Sequence, residues 1–257
     1  MTTIYLDIET CYAPDEDPDV VARIRRDHPA PEVPSIEDLR PPKSYKDEAK
    51  IAAWREARHA ELVAEAAGHD AEIDRLVREW WQSTSLEPLY GRVLCVGIAV
   101  DDRDPVVLWE PTEVATLERL EAGLSRYPDA QLIAHNGLRF DYRFVWARAV
   151  VHGLYDLARR VYAPRPWGDR VRLDTLAAWQ GADNRARGSL RALGRALGVE
   201  LPPDDLEGAD VPPLWHEHGV IGHPERDAAI SRIRQHVISD VIVLREIADR
   251  LRLAGAL

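Results

Sequence analysis

Cysteine is nearly absent from this chain of 257 residues, which has only Cys11 and Cys95. Both lie in or beside apolar stretches that are typical of strands. Two small buried side chains are therefore a far better interpretation than a disulfide or a thiolate metal site. We expect no cysteine chemistry in the function of this protein.

Long apolar runs and phosphate-binding glycine motifs are also missing. No stretch of about 18 apolar residues occurs, and the N-terminal MTTIYLDIET has the pattern of a strand rather than of a signal peptide. We therefore expect a cytoplasmic protein that has no membrane partner. Neither G-x-G-x-x-G nor G-x-x-x-x-G-K-S/T is present, which argues against a dinucleotide-dependent oxidoreductase or a P-loop kinase.

Lysine is scarce, and charge is distributed unevenly along the chain. The net charge of −11 argues against a surface that binds polyanions throughout. Residues 139–195 nevertheless hold twelve arginines, five aspartates and no glutamate, which is a local balance of about +7. Aromatic residues lie among these cations, including Tyr142, Phe144, Trp146, Tyr155, Tyr162, Trp167 and Trp179.

Two interpretations of this arginine-rich span remain open. Aromatic faces stack the bases of single strands and guanidinium groups bind phosphates, so the span could line a channel for nucleic acid. Alternatively, most of its aromatic side chains belong to the core and its arginines form a solvated face.

The pattern of apolar residues predicts an α/β fold, and the hydrophobic content of 46% suffices for a sizeable core. Strands are predicted at residues 3–9, 92–100, 106–110, 131–135 and 171–174. Helices are predicted at 113–126, from Phe140, from Thr175, from Ser189 and at 227–253. We therefore expect a mixed β-sheet flanked by helices, in a single domain of residues 1–257.

A helical insertion is predicted between the first two strands, at about residues 12–88. Residues 11–40 are rich in proline and acidic residues and have little periodicity, which indicates an irregular surface segment. Ser44-x-x-Asp47 resembles a capping box, and a long helix is predicted from Lys46 to about Trp81, with Gly68 as a candidate break.

Acidic residues occupy positions that suit metal-dependent hydrolysis of phosphodiesters. Asp7 and Glu9 are two residues apart on the first strand and so face the same side of the sheet. Asp141 follows the predicted strand QLIAH near the start of a helix, where the helix dipole favours a carboxylate. Oxygen ligands of this kind suit Mg²⁺ or Mn²⁺. Taken singly, Asp7 and Glu9 could also be solvent-facing acids, and Asp141 could be an ordinary charge at a helix start.

A third segment, His236-x-x-x-Asp240, lies on the predicted C-terminal helix. Residues four apart share one helix face, so the imidazole and the carboxylate project together. Histidine titrates near neutrality and could deprotonate an attacking water, while Asp240 binds metal. A stabilising charge pair on the helix surface is the alternative. Asp174 in LDTL likewise has two interpretations, a cap of the next helix or a support of the site.

The segments LDIET, HNGLRFD and HVISDV, in this order, resemble the three motifs of the DEDD superfamily of 3′–5′ exonucleases. The chain is most similar to predicted exonucleases that are related to the proofreading domain of family B DNA polymerases, many of them phage-encoded. The resemblance extends to PPKSYKDEAKIAAW, LEPLYGRVLCVGIAV, LDTLAAW, SLRALGRALGV and EGADVPPLW. It therefore covers nearly the whole chain, including the insertion.

This resemblance implies an RNase H-like fold and a two-metal 3′–5′ exonuclease that acts on single-stranded ends of DNA or RNA, with DNA favoured. It implies a bacterial or phage-infected bacterial cell, and it indicates no particular protein partner. Two divalent cations, Mg²⁺ or Mn²⁺, would be bound by four carboxylates: Asp7, Glu9, Asp141 and Asp240. These residues and His236 form the expected catalytic set. Substrate contacts are expected from Thr10, Asn136, Arg139, Phe140 and Arg143.

His236 departs from both branches of that superfamily. The tyrosine branch has a tyrosine four residues before the last aspartate, and the histidine branch has a histidine five residues before it. His236 combines the residue type of one branch with the spacing of the other, which leaves its role as general base open. A catalytically weak module that binds nucleic acid or a protein partner, and a structure-specific endonuclease, are the alternative functions.

Overall fold

The computed structural model describes residues 1–162, 171–181, 183, 188–203 and 206–257. The chain divides into two compact units. The first comprises Met1–Ala13 and Ser83–Leu257, and the second comprises Pro14–Gln82. The five strands of the sheet all belong to the first unit.

A mixed sheet with the order β3-β2-β1-β4-β5 forms the centre of the first unit. Its strands are β1 (Thr3–Cys11), β2 (Arg92–Val100), β3 (Val106–Leu108), β4 (Gln131–Ala134) and β5 (Arg172–Asp174). The first three strands pair antiparallel, whereas β4 and β5 are parallel to β1. The predicted α/β class and mixed sheet are confirmed, and β1 occupies the central position.

Helices flank this sheet and make up most of the second unit. They are α1 (Pro18–Asp27), α2 (Glu48–Ser83), α3 (Glu113–Ser125), α4 (Asp141–Val151), α5 (Tyr155–Val161), α6 (Thr175–Gln180), α7 (Leu190–Ala196), α8 (Val211–His218) and α9 (Arg226–Leu253). Within the described ranges, no helix combines the length and the apolar character that crossing a membrane would require.

Side chains of β1 alternate between two layers. Ile4, Leu6 and Ile8 pack with apolar side chains of α3, α4 and α5. Tyr5 lies on the opposite face, in a cluster with side chains of α7 and α9. Because alternate residues of a strand point to opposite faces, Asp7 and Glu9 project from the face that α9 covers. Each buried aliphatic side chain contributes roughly 1.5–3 kcal/mol, so the two clusters hold the helices against the sheet.

Gly97 allows α9 to approach the sheet closely. It is the partner of Asp7 in the ladder between β1 and β2. A Cβ atom at this position would lie 2.3 Å from Cγ1 of Val237 and 2.9 Å from Cγ2 of Val241, both on α9. Any larger residue would push the helix away from the sheet. Glycine here therefore brings α9 against the part of β1 that carries the two acidic residues.

A buried ion pair joins α3 to α4. The guanidinium of Arg148 donates to both carboxylate oxygens of Glu113, at 2.9 and 2.7 Å. Glu113 also accepts from the backbone N–H of Val93 and lies 2.7 Å from the imidazole of His152. Burial by itself would raise the pKa of Glu113, but these hydrogen bonds lower it overall.

The prediction of an irregular segment at residues 11–40 is wrong for residues 18–27, which form α1. Asp17 caps this helix, since its side chain accepts from two backbone N–H groups of the first turn. A proline at the first helical position suits the helical backbone as well. The proline and aspartates that indicated a loop are thus the start signal of a short helix.

The long helix α2 continues through Gly68, so the break expected there is absent. The capping prediction also needs correction, because Asp47 itself caps the helix. Its Oδ1 accepts from the backbone N–H groups of Ala49 and Lys50. A glycine inside a helix costs only about 1 kcal/mol relative to alanine, which a helix of 36 residues tolerates.

Two short helices of the first unit, α5 and α8, were not predicted. They have seven and eight residues, respectively. A helix of about two turns shows too few repeats for its periodicity to be recognised. From the sequence alone, the prolines at the start of α8 indicate a turn. A proline is tolerated in the first turn of a helix, because the backbone N–H group that it lacks would have no partner within the helix.

Candidate active site

The central strand β1 presents Asp7 and Glu9 to α9. Asp7 is partly exposed as a residue, but its Oδ2 atom is buried and has no hydrogen-bond partner among the residues the structure describes. Burial raises the pKa of Asp7 well above its usual range. Three nearby carboxylates raise it further, namely those of Glu9, Asp141 and Asp240. The four acidic groups thus share one electrostatic environment.

Asp141 reaches β1 from beyond the end of β4. Pairing between these two strands stops before β1 ends, so the backbone N–H of Ile8 has no ladder partner on that side. Oδ1 of Asp141 accepts a hydrogen bond from this N–H at 3.1 Å. Burial nevertheless raises the pKa of Asp141 to about 8, and the carboxylates of Asp174 and Glu9 add to the shift. A divalent cation at this place would favour the ionised form.

Helix α9 supplies His236 and Asp240, one turn apart. Nε2 of His236 lies 3.2 Å from Oε1 of Glu9 and 3.9 Å from Oδ2 of Asp240. His236 is 2% exposed, so the pair faces the sheet and not the solvent. The imidazole therefore lies between a carboxylate of β1 and a carboxylate of its own helix.

The turn that leads into Asp141 is held by Asp174 at the end of β5. The Asp174 carboxylate accepts from the backbone N–H groups of Asn136 and Leu138, both at 3.0 Å. It also caps α6 by accepting from two N–H groups of the first turn. Asn136 has a φ of 59°, a left-handed conformation that asparagine adopts more readily than most residues. Asp174 is thus both a helix cap and a support of the site.

Three of the predicted substrate-binding residues are buried or half-buried. Thr10 is buried, and its hydroxyl donates to the carbonyl of Ser85 at 2.7 Å. Asn136 and Phe140 are half-buried. The hydroxyl of Thr10 is therefore engaged within the protein, whereas Asn136 and Phe140 keep part of their surface on the turn before Asp141.

The other two, Arg139 and Arg143, flank Asp141 and are exposed. A guanidinium nitrogen of Arg143 lies 3.4 Å from a carboxylate oxygen of Glu87. The structure thus brings the four predicted carboxylates and His236 together, and it leaves both arginines at the surface. No described contact joins either arginine to those carboxylates.

The aromatic residues of the arginine-rich span divide between core and surface. Tyr142 and Phe144 are 1% exposed and belong to the core. Four others have substantial exposed surface: Trp146, Tyr155, Tyr162 and Trp179. Trp167 lies outside the described residues. The core interpretation is therefore confirmed for Tyr142 and Phe144, and the channel interpretation stays a prediction for the exposed residues.

Arg191 lies at the site although no pattern in the sequence singles it out. Its Nη1 donates to Oγ of Ser239 at 3.1 Å and lies 3.7 Å from Oδ1 of Asp240. Its Nη2 donates to the carbonyl of Pro202 at 3.1 Å. No rule of spacing links position 191 to position 240. The only signal was its place in the segment SLRALGRALGV, which is part of the family resemblance.

The donor chemistry of the site fits hard divalent cations. Mg²⁺ and Mn²⁺ prefer carboxylate oxygens, and a cation would offset the repulsion that raises the pKa of Asp7. The buried Oδ2 of Asp7 is an oxygen of this kind. In the described part of the chain, no group of three or more His, Cys, Asp or Glu side chains is arranged to hold a metal ion as it stands.

Residues 83–252 match a family model described as the RNase H superfamily. This range contains Asp141, His236 and Asp240, and it begins after Asp7 and Glu9. An uncharacterised protein of Methanocaldococcus jannaschii is 26% identical over 160 residues, which are 62% of this chain and 85% of that protein.

Among solved structures, the chain is similar to the family B DNA polymerase from the hyperthermophilic archaeon Pyrobaculum calidifontis. The TM-score is 0.47 and the sequence identity is 15%. The match covers 62% of this chain and 22% of the polymerase. The chain thus spans about a fifth of the length of that polymerase.

Proposed function

The chain belongs to the RNase H superfamily, and from that premise we propose that it is a metal-dependent 3′–5′ exonuclease. Its substrate would be a single-stranded end of nucleic acid, with DNA favoured over RNA. The observation that carries the proposal is the meeting of carboxylates from β1, α4 and α9. Hydrolysis of phosphodiesters by two metals needs several oxygen ligands at one place, and this protein supplies four.

The proposed roles follow from the positions of these side chains. Asp7, Glu9 and Asp240 would hold one cation, and Asp7 with Asp141 would hold a second. When bound, Mg²⁺ or Mn²⁺ would lower the pKa of a water and stabilise the charge that develops on the phosphate. The fit of the donor atoms to hard cations supports this assignment.

His236 would accept the proton of the attacking water. Its Nε2 lies among the carboxylates, 3.2 Å from Oε1 of Glu9, where an imidazolium would be stabilised by negative charge. The water oxygen joins phosphorus, the bond from phosphorus to the 3′ oxygen of the preceding nucleotide breaks, and that oxygen takes up a proton. A nucleoside 5′-monophosphate is released from the 3′ end.

The direction of cutting and the preference for single strands rest on the resemblance of the three motifs to those of the DEDD exonucleases. Exposed cations on both sides of Asp141, Arg139 and Arg143, support a nucleic-acid substrate. We expect these two arginines to bind phosphates of a strand that approaches the carboxylates.

A time course on 5′-labelled single-stranded DNA and RNA tests the proposal, with Mg²⁺, with Mn²⁺ and with EDTA. We expect a metal-dependent ladder that shortens from the 3′ end, and its loss in Asp7→Ala and Asp240→Ala. Asp249→Ala is the matched control, because Asp249 lies on the same helix, is 55% exposed and pairs with Arg252. Full turnover by a folded Asp240→Ala protein would overturn the assignment.

Binding without hydrolysis is the second candidate function. His236 favours this candidate, because it lies four residues before Asp240, where the tyrosine branch of the superfamily has a tyrosine. The same time course separates the candidates. A shift of the labelled strand in a native gel without shortening would indicate a binding module, and internal fragments would indicate an endonuclease.

A further inference from the structure

Exposed apolar and aromatic side chains lie close together on α4 and α5, two helices that pack against each other. A contiguous exposed group of such side chains commonly marks an interaction site. Those on the two helices and at their ends are Trp146, Val150, Val151, Tyr155 and Tyr162. The protein therefore has a candidate binding surface outside the acidic site.

Two of these side chains form an aromatic pair. The ring centroids of Trp146 and Tyr162 lie 5.5 Å apart, and the ring planes are inclined by 38°. The contact orders both rings, and yet 37% of Trp146 and 48% of Tyr162 remain exposed. Partly exposed rings stack on the bases of single strands, because every base has a π-face. Since the rings are already ordered, such stacking would cost little conformational entropy.

An arginine precedes each ring of this pair by three residues. Arg143 precedes Trp146 on α4, and Arg159 on α5 precedes Tyr162, which follows the last residue of that helix. Residues three apart are neighbours on a helix surface, so a guanidinium group lies beside each ring. We define the α4–α5 face as six residues: Arg143, Trp146, Val150, Tyr155, Arg159 and Tyr162.

The cations of the α4–α5 face are accessible to phosphates. Arg143 is 51% exposed and pairs with Glu87, and Arg159 is 72% exposed and pairs with Asp156. Exposed ion pairs contribute little to stability, so a phosphate can replace either carboxylate. The surrounding span of residues 139–195 holds twelve arginines and five aspartates, in a chain whose net charge is −11. This concentration of positive charge favours a polyanion as the occupant.

The α4–α5 face is remote from the carboxylates, although Asp141 is the first residue of α4. Trp146 follows Asp141 by five residues, which is about 7.5 Å along the helix axis and about 140° around it. Asp141 is accordingly buried, whereas Trp146 is partly exposed. Across a helix about 10–12 Å wide, the two side chains are about 13 Å apart. A stacked strand with about 3.4 Å per nucleotide needs about four nucleotides to span this distance.

We propose that the α4–α5 face is a second binding surface for single-stranded nucleic acid, remote from the place of cleavage. The rings of Trp146 and Tyr162 stack on a base, and Arg143 and Arg159 contact phosphates beside it. The proposal rests on the proposed function, because the strand held here is the one whose 3′ end lies at the carboxylates. Strands shorter than about four nucleotides should not use this face.

Fluorescence anisotropy of 5′-labelled oligothymidylates tests the face in EDTA, which removes the cations that cleavage requires. We expect a strand of 20 nucleotides to bind the unaltered protein, and Trp146→Ala to bind it about tenfold more weakly through the loss of stacking. Trp146→Phe should recover most of the affinity, because it retains an aromatic ring. Trp179→Ala is the matched control, since Trp179 is 48% exposed on another helix, α6.

Three results would overturn the proposal. They are the absence of binding, equal affinity of Trp146→Ala and the unaltered protein, and an equal loss of affinity in Trp179→Ala. Sedimentation of the protein alone tests a second copy of the chain as the occupant. Self-association that Trp146→Ala abolishes, without strand binding, would assign the face to a protein contact instead.

The salt dependence of binding tests the cations separately. The slope of log affinity against log salt concentration should be less steep by about 0.7 in Arg159→Ala, as for the loss of one phosphate contact. Arg119→Ala is the control, since Arg119 is exposed on α3 and pairs with Glu110. An unchanged slope in Arg159→Ala would remove Arg159 from the face.

Cleavage in Mg²⁺ distinguishes a failure of this proposal from a failure of the exonuclease function. Trp146→Ala should raise KM for the strand of 20 nucleotides about tenfold, with kcat and the cleavage of a trinucleotide unchanged. If the unaltered protein cleaves nothing, the exonuclease function fails, and anisotropy still decides whether the face binds a strand. If it cleaves and Trp146→Ala changes neither KM nor affinity, the function stands and the assignment of the face is wrong.

Discussion

Replacing Asp141 with asparagine should stabilise the metal-free protein, and the gain should grow with pH. The pKa of Asp141 is raised from an ordinary 3.8 to about 8. Between these values the folded protein keeps a proton that the unfolded chain has lost. The contribution of Asp141 to stability is therefore fully present below pH 3.8 and is lost as the pH rises through about 8.

The magnitude follows from this window. Each pH unit within it lowers the free energy of unfolding by about 1.4 kcal/mol. Between pH 5 and pH 8 the loss is therefore about 4 kcal/mol at most, and relaxation of the site around the ionised group reduces it to roughly 2–4 kcal/mol. Asparagine does not ionise, and it keeps an oxygen that can accept from the N–H of Ile8. The variant should escape this loss.

Urea denaturation in EDTA at pH 5 and pH 8 measures the effect. The advantage of Asp141→Asn should be roughly 2–4 kcal/mol larger at pH 8. Asp249→Asn, which changes an exposed carboxylate on α9, should show no such difference. Addition of Mg²⁺ at pH 8 should stabilise the unaltered protein more than the variant. An advantage that is independent of pH would refute the reasoning.

Three further predictions concern contacts that hold the site and the fold. Gly97→Ala should lower the free energy of unfolding by about 1–3 kcal/mol and reduce cleavage, because its Cβ would collide with α9. Gly123→Ala is the control: a Cβ there would have its nearest neighbour at 4.0 Å, so thermal melting should show no loss of stability or a gain. Asp174→Ala should lower Tm and kcat together by freeing the turn before Asp141, and unchanged kcat would contradict this. Glu113→Ala should lower the free energy of unfolding by about 3–5 kcal/mol at pH 7, because it leaves the buried charge of Arg148 without its carboxylate partner. Since the pKa of Glu113 is lowered, this loss should shrink as the pH falls below about 4.5. Denaturation at pH 7 and at pH 4 would measure the difference.

The strands and longer helices could be predicted from the chain because their patterns are local. Alternation along residues 3–9 and the apolar run at 92–100 predict β1 and β2 closely, and the helical spacing at 227–253 predicts α9. The helices α1 and α5 could not be predicted in this way. Each is short, and α1 begins with a proline and aspartates that are equally common in loops.

The order of motifs along the chain was enough to propose Asp7, Glu9, Asp141 and Asp240, because a family resemblance concerns residue types and their order. The resemblance did not show how the surroundings of these residues shift their pKa values. Asp141 acquires a high pKa because it is buried and lies near other carboxylates, although the hydrogen bond that it accepts from the N–H of Ile8 lowers the pKa in part. Only the place at which β4 ends creates that environment.

The sequence by itself determined the α/β class, the long helices and the identity of the acidic residues, since these depend on local periodicity and on residue type. The tertiary structure alone decided which groups meet. Gly97 sets how closely α9 crosses β1, Asp174 holds the turn before α4, and Arg191 reaches Asp240 from a helix 49 positions earlier in the chain. These contacts join residues far apart in the sequence, and no local pattern encodes them because they arise from the packing of whole elements.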